Sequence, residues 1–400
     1  VAEPARHVID TRAEYLDAVA LIAAGTGPIA IDAERASGFR YSQRAYLIQV
    51  FRRDAGVFLF DPPAIGRFDE LQDAIADVEW ILHAASQDIA CLREVGLDPH
   101  VIFDTELCAR LLGFARVGLG TVIEQQLGIH LAKEHSAADW STRPLPDSWL
   151  EYAALDVELL VDLRDSLQEL LVSSGKEEIA RQEFAAVLQK EAKPLAAEPW
   201  RRLSGIHSVR SARNLAVARE LWLARDAYAQ EIDTAPGRLV PDSSLLAVVK
   251  AMPTTRKALS ELREFTGRAS RSELSRWWEA VERGLATDEI PAVRVNGDTL
   301  PPPRVWSERN PEADLRLKAA RTALNEVSEE LQIPLENLLT PDYLRRVAWH
   351  PPASVDAEAI GEALTELGAR PWQLDATAQK ISDAFVEAHQ TLLESSEAPS

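Results

Sequence analysis

The stretch Ile29-Ala30-Ile31-Asp32-Ala33-Glu34 limits what this 400-residue chain can become more than any other. It follows a Gly27-Pro28 breaker, is rich in strand formers in its first half and runs out at Gly38. Side chains alternate across a strand, so Asp32 and Glu34 point to one face while Ile29, Ile31 and Ala33 point to the other. Two carboxylates side by side at a strand end repel each other, and a divalent metal is the usual counterweight. The pattern is common by itself: 63 acidic residues in 400 give about ten acid-x-acid pairs by chance. Its weight comes from the acids further along the chain.

Two further acidic positions fall where a sheet can bring them to the first pair. Asp88 closes the segment His83-Ala84-Ala85-Ser86-Gln87-Asp88, between a buried strand and the next helix. Such junctions lie at the edge of a sheet, where ligand crevices form; the alternative is a plain helix cap. Tyr152 and Asp156, in Tyr152-Ala153-Ala154-Leu155-Asp156, stand one helical turn apart and share a face. The alternative there is a half-buried aromatic beside a surface acid. His83, His130 and His135 have no ligand spacing and read as structural or surface residues.

Periodicity places these positions on elements. Residues 14–24 read as an amphipathic helix leading into the strand at Ile29. Residues 44–51 and 56–60 are strands joined through 52–55; 80–84 and 101–103 are buried strands; 68–76 and 88–95 are short helices. From Thr105 the pattern turns helical, over 105–112, 120–127 and 150–171. Early strands and later helices imply a mixed sheet covered by helices. Residues 190–199 and the proline-rich 288–303 read as linkers. Between them, 211–230, 242–250, 256–262 and 272–283 form an all-α unit. A third, also all-α, comprises 312–331, 341–349, 356–367 and 375–393, with a polar tail at 394–400 expected to be disordered.

A net charge of −20 argues against indiscriminate nucleic-acid binding. The charge is uneven, however: residues 199–271 hold thirteen Lys/Arg against seven Asp/Glu, a local +6 that leaves −26 on the remainder. That segment reads either as a nucleic-acid-binding face or as an ordinary solvated basic surface. No run of eighteen apolar residues is present, and the mixed, charged residues 1–11 do not read as a signal peptide. Cys91 and Cys108 lack metal spacing, so the expected setting is a reducing cytoplasm without disulfides.

Taken together, IDAE at Asp32 and Glu34, HAASQD at Asp88 and YAALD at Tyr152 and Asp156 resemble the ribonuclease D family of DEDD-type 3′→5′ exonucleases. The segment KEHSAADWSTRPL, with Asp139, Trp140, Arg143, Pro144 and Leu145, is similar to that family too, and the likeness spans roughly residues 28–170. Residues from about 199 to 272 look like the helical HRDC nucleic-acid-binding module and coincide with the basic segment. The unit from about 305 to 392 resembles the second, diverged helical domain that this family often carries.

The resemblance implies a ribonuclease H-like α/β exonuclease domain over residues 1–190, an HRDC domain over 199–285 and a second HRDC-like domain over 305–392. It implies that Asp32, Glu34, Asp88 and Asp156 hold two divalent ions, Mg²⁺ or Mn²⁺, while Tyr152 orients the attacking water. A related subtype uses histidine five residues before the last aspartate, but Glu151 stands there, so the tyrosine subtype fits. One departure is Arg35, where the family often has an aromatic residue against the terminal nucleotide; this side chain either meets a phosphate or faces solvent. Nucleic-acid contacts are expected from Arg35, Lys133, Arg143, Arg210 and Arg213.

The implied activity is release of nucleoside 5′-monophosphates from RNA 3′ ends, transfer-RNA precursors included, by a cytoplasmic monomer with no membrane contact. The rivals are a DNA 3′→5′ exonuclease and a catalytically idle RNA-binding adaptor. Retention of all four acids and the tyrosine speaks against idleness.

Overall fold

The computed structural model describes residues 6–131, 138–190, 197–293 and 300–397. Lys133 and His135 lie outside these residues, as do the middle of each expected linker and the end of the polar tail.

Six strands form one mixed sheet among the described residues: β1 (Val8–Ile9), β2 (Thr26–Arg35), β3 (Ala45–Arg53), β4 (Gly56–Phe60), β5 (Trp80–Leu82) and β6 (Ile102–Asp104). Their order is β1-β4-β3-β2-β5-β6. The β2–β3–β4 meander is antiparallel, while β1 joins β4, and β5 and β6 join β2, in parallel. β2 is therefore central, and its Ile29, Ala30 and Ile31 are fully buried. Gly27-Pro28 does not precede this strand but interrupts it, at a register shift between Thr26 and Ile29. Proline has no N–H for the ladder, so a bulge is where it is tolerated. Arg52 and Arg53 belong to β3 rather than to the connection, and the chain reverses through Asp54 at φ 67°.

Three other readings need correction. The helix expected over 150–171 is two, Asp147–Glu158 and Leu160–Ser173, broken at Leu159. The break lets the first lie across β2, β3 and β4 while the second packs on β2 and β5. A helix at Glu177–Gln189 was not foreseen; it buries only Ala180, Glu183 and Phe184. The last helix runs Pro371–Glu397, into the segment expected to be disordered.

The missed helix explains how the units are joined. Phe184, against Phe103 of β6, belongs to a continuous apolar core that extends through Trp306, Leu317 and Phe385 of the third helical unit. At that seam Arg370 donates to Glu183 through Nε (2.6 Å) and Nη2 (2.7 Å), and the Trp372 indole donates at 2.7 Å. The middle unit instead has its own core around Trp200, Leu221 and Trp277. It meets the exonuclease unit through the loop at 36–44. Asp233 accepts from the Ser42 amide at 2.8 Å and the Tyr46 hydroxyl at 3.2 Å, and Arg238 donates to the Gly38 carbonyl at 2.6 Å while covering the Phe39 ring. Both cysteines are buried and free, and no helix among the described residues is long and apolar enough to cross a membrane.

Glu183→Ala leaves the Arg370 guanidinium and the Trp372 N–H without their acceptor in a mostly buried seam. We expect it to lower unfolding stability by about 3 kcal/mol, as breaking one side of a buried pair generally does. Chemical denaturation of the full chain measures this, and a loss under 1 kcal/mol would mean that the seam is solvated.

Candidate active site

The β2 end and the Asp147–Glu158 helix build the pocket. In the β2–β3 register Asp32 stands opposite Gln49 and Glu34 opposite Leu47, so these four side chains share one face. The helix crosses that face, burying Leu150, Ala153 and Ala154 in a cluster with Leu47 and Leu59. Its small alanines let the helix approach closely, and one turn further Asp156 descends onto the strand acids. Carboxylate oxygens of Asp32, Glu34 and Asp156 all lie within 4.8 Å of one another. The Tyr152 hydroxyl donates to Asp156, as the shared helix face predicts.

Crowding three acids in an apolar recess moves their proton affinities. Burial first, and then Asp32, Asp156 and Asp88, push Glu34 up to about 10. Burial and Asp32 raise Asp156 to about 8, against the Tyr152 hydrogen bond, which favours the charged form. Asp32 rises through burial, although the Ala33 amide and Arg35 pull the other way. A set that resists full ionisation in this way is stabilised by protons or by a bound cation. The donor set is all oxygen, which suits Mg²⁺ or Mn²⁺.

Asp88 arrives from the other side of β2. The chain leaves β5 through Ala84, whose φ of 64° is left-handed. Asp104, at the end of β6, holds this turn by accepting from the Ala84 and Ala85 amides at 3.0 and 2.9 Å. It also caps the following helix through the Glu106 and Leu107 amides. Asp88 occupies the N-cap position of Ile89–Glu94 but makes no side-chain cap bond there. Its Oδ1 instead lies 3.4 Å from Arg35 Nη2. Burial and the charge of Asp32 raise its pKa well above the usual carboxylate range. Asp88 thus borders the three-acid cluster without belonging to it.

The remaining expected contacts scatter. Arg35 neither faces open solvent nor stands alone; it pairs with Asp88. Arg143 is used by the fold: it bonds Asp61 at 2.6 Å and the Trp140, Thr142 and Tyr46 carbonyls at 2.8 Å each. Arg213 donates to the Gly284 and Thr287 carbonyls at the end of the helix Leu274–Ala286, whereas Arg210 is exposed. His83 is a structural residue, bonded to the Thr105 hydroxyl at 2.9 Å and held by burial at a pKa of about 4.

Sequence reasoning missed Asp104 and Gln49. A signal existed for Asp104, an acid between a strand and Thr105-Glu106 in the manner of a helix cap. Gln49 carried none, since an isolated glutamine in an apolar strand says nothing about its neighbours. It is fully buried beside Asp32, and neither amide atom has a partner among the described residues.

A mixed sheet with acids at the end of its central strand, under a helix carrying Tyr and Asp, defines a 3′→5′ exonuclease domain. Family models agree: 3′-5′ exonuclease over residues 7–172, HRDC domain over 214–281, and 3′ to 5′ exonuclease C-terminal domain over 299–385. The third unit is thus matched under its own description, not as a second HRDC domain.

Ribonuclease D of Nitrobacter hamburgensis is 30% identical over 302 residues, covering 72% of this chain and 75% of that protein. Ribonuclease D of a Jannaschia species is also 30% identical, over 73% of this chain and 78% of its own length. A crystal structure of a Bifidobacterium adolescentis protein superposes with TM-score 0.87 at 36% identity, over 96% of this chain and 99% of the other. Escherichia coli RNase D shares the fold, with TM-score 0.69 at 24% identity over 96% and 99% of the two chains. The chain belongs to the ribonuclease D family, and it is a 3′→5′ exoribonuclease.

Because Asp156 and Glu34 bind protons more tightly folded than unfolded, their contribution to stability is full below the ordinary carboxylate range and is lost as pH rises through about 8 towards about 10. In EDTA the melting temperature should therefore fall between about pH 6 and about pH 9, and saturating Mn²⁺ should flatten that slope. Asp156→Asn should flatten it without metal. A pH-independent melting temperature in EDTA would show that the acids are not crowded in solution.

Proposed function

We propose that this exoribonuclease removes nucleoside 5′-monophosphates from RNA 3′ ends with two divalent ions, Mg²⁺ or Mn²⁺, held by Asp32, Glu34, Asp88 and Asp156. The observation that carries this reading is the convergence of three carboxylates within 4.8 Å, with the fourth beside them and a tyrosine hydroxyl on Asp156. The ions would supply an activated water and stabilise the departing 3′-oxygen. Tyr152, anchored on Asp156, orients that water, and Asp104 positions Asp88 by fixing the turn before it.

The natural substrates we propose are transfer-RNA precursors and other structured RNAs, met by a cytoplasmic monomer. Supporting this, Escherichia coli RNase D is described as an exoribonuclease involved in structured RNA processing. The domain division proposed is 1–190, 199–285 and 305–392. The middle domain would bind the RNA backbone. Its Arg202, Arg210, Lys250, Arg256, Arg263 and Arg268 are exposed and have no acidic partner among the described residues. Arg213 and Arg225 are engaged within the fold and are left out.

RNA and DNA oligomers labelled at the 5′ end, incubated with and without Mg²⁺, test the reading. The expected result is a Mg²⁺-dependent ladder shrinking from the 3′ end of RNA, weaker on DNA and absent with Asp32→Asn. Near-native turnover of Asp32→Asn in saturating Mn²⁺ would overturn it. Tyr152→Phe should lower kcat roughly 10²-fold, as loss of a preorganised polar group does, with KM little changed. Single-turnover cleavage at equal metal measures this, and native rates would reduce Tyr152 to a packing residue.

A further inference from the structure

All strands but β3 run the same way, so β1, β2, β4, β5 and β6 end on one edge of the sheet, the edge that carries the acids. Two recesses open along that edge, one to each side of the acids. On the β6 side, a recess of about 1060 Å³ lies between Asp104 and the third helical unit. The arginines lining it are already paired: Arg110 with Glu106, Arg181 with Glu178 and Arg370 with Glu183. On the β1 and β4 side, a cleft of about 680 Å³ runs past Asp10, Asp61, Arg40, Arg44 and Arg143. Three arginines against two aspartates leave it at +1.

The fold leaves two of these arginines available. Arg143 is neutralised by Asp61. Arg40, in contrast, donates through Nε to the Ser141 hydroxyl at 2.8 Å, and Ser141 donates in turn to Asp139 at 2.5 Å. That chain fixes one edge of the guanidinium, while its terminal nitrogens have no partner among the described residues. Arg44 is half exposed, lies over the Tyr46 ring and comes no nearer to Asp233 than 3.7 Å. Residues 139–145 build this wall: Asp139 sets Arg40 through Ser141, Arg143 ties to Asp61, and Trp140 and Leu145 are buried in the core. β3 begins at Ala45, opposite Arg35, so Arg44 stands beside the strand end that carries Glu34. Two strand spacings, about 10 Å, separate β4 from β2. The loop bearing Arg40 and Arg44 is also the one that the middle unit holds, through Asp233, the Ala235 amide and Arg238.

We propose that this cleft receives the RNA strand above the scissile bond, with Arg40 and Arg44 on its backbone phosphates. The strand then reaches the acids from the side where the exonuclease and middle units meet, not along the seam with the third unit. A guanidinium held by one edge presents the other as a planar fork, which matches two phosphate oxygens. Such contacts position the strand without reading its sequence. The short span from β4 to β2 means that the phosphates met are close to the 3′ end, so even short single strands use them. The proposal rests on exoribonuclease activity and is independent of how many ions the acids hold.

The test is single-turnover release of the terminal nucleotide from a single-stranded RNA dodecamer by the full chain in Mg²⁺. One uncharged methylphosphonate linkage, at a 2′-O-methyl nucleotide, is moved stepwise up from the 3′ end. Arg40→Gln combined with Arg44→Gln should raise the half-saturating protein concentration roughly tenfold, as loss of charge-assisted contacts does, and the effect should fall there rather than on the maximal rate. It should also reduce the salt slope by about 1.4, the value for two contacts on a single strand. At one or two positions the neutral linkage should weaken the native chain about as much, and the double variant no further. Arg181→Gln, in the seam with the third unit, should stay near native in both readouts. Arg44→Gln alone, at a half-exposed position, carries the same coupling test should the double variant fold poorly. Losses that simply add at every position would overturn the cleft and leave the exoribonuclease standing, as would a weakening by Arg181→Gln that the Arg40 and Arg44 variants do not produce. No cleavage of unmodified RNA by the native chain would remove that activity and this proposal together.

Discussion

Mutual repulsion among buried carboxylates is the constraint that the rest of this structure answers. Asp32, Glu34 and Asp156 are held within 4.8 Å of one another in a recess walled by β2, β3 and an alanine-faced helix. Burial and like charge both resist ionisation there, and the Tyr152 hydrogen bond and the Arg35 charge offset them only in part. It persists because each acid hangs from an element fixed by a separate apolar core. β2 lies at the centre of the sheet, and the Asp147–Glu158 helix is fastened by Leu150, Ala153 and Ala154. The fold's apolar burial supplies the free energy, and the site carries the strain.

The same economy governs the approach of Asp88. It reaches the pocket through a left-handed alanine, a conformation that an L-residue resists. Asp104 stabilises that turn with two backbone bonds and the next helix with two more, so one buried carboxylate fixes both sides of the junction. Arg35 supplies the positive charge that pairs with Asp88.

The helical units relate to the exonuclease sheet in different ways. The third shares an apolar core with it through Phe184 and is keyed by the Arg370–Glu183–Trp372 bonds. The middle unit keeps a separate core, against which Tyr41 packs, and meets the sheet mainly through polar contacts to the loop at 36–44, the stretch that directly follows Arg35. A large apolar seam resists relative motion, whereas a small polar one permits it. The chain thus has one wall built into the catalytic unit and a second docked beside it.

Much of this was legible in the sequence, because it depends on local periodicity. Alternation put Asp32 and Glu34 on one face, helical spacing put Tyr152 over Asp156, and composition marked a basic segment within an acidic chain. Those are statements about neighbours in sequence, and the structure keeps them. The Arg35–Asp88 pair, the cradle that Asp104 makes, the burial of Gln49 and the core shared through the Glu177–Gln189 helix were not legible. Each joins residues far apart in the chain. Arg35 also depends on a one-residue slip in strand register that leaves no mark in composition. Local spacing determined which side chains the chemistry could use; only the tertiary structure decided how the charges are balanced, because that balance depends on distances between elements.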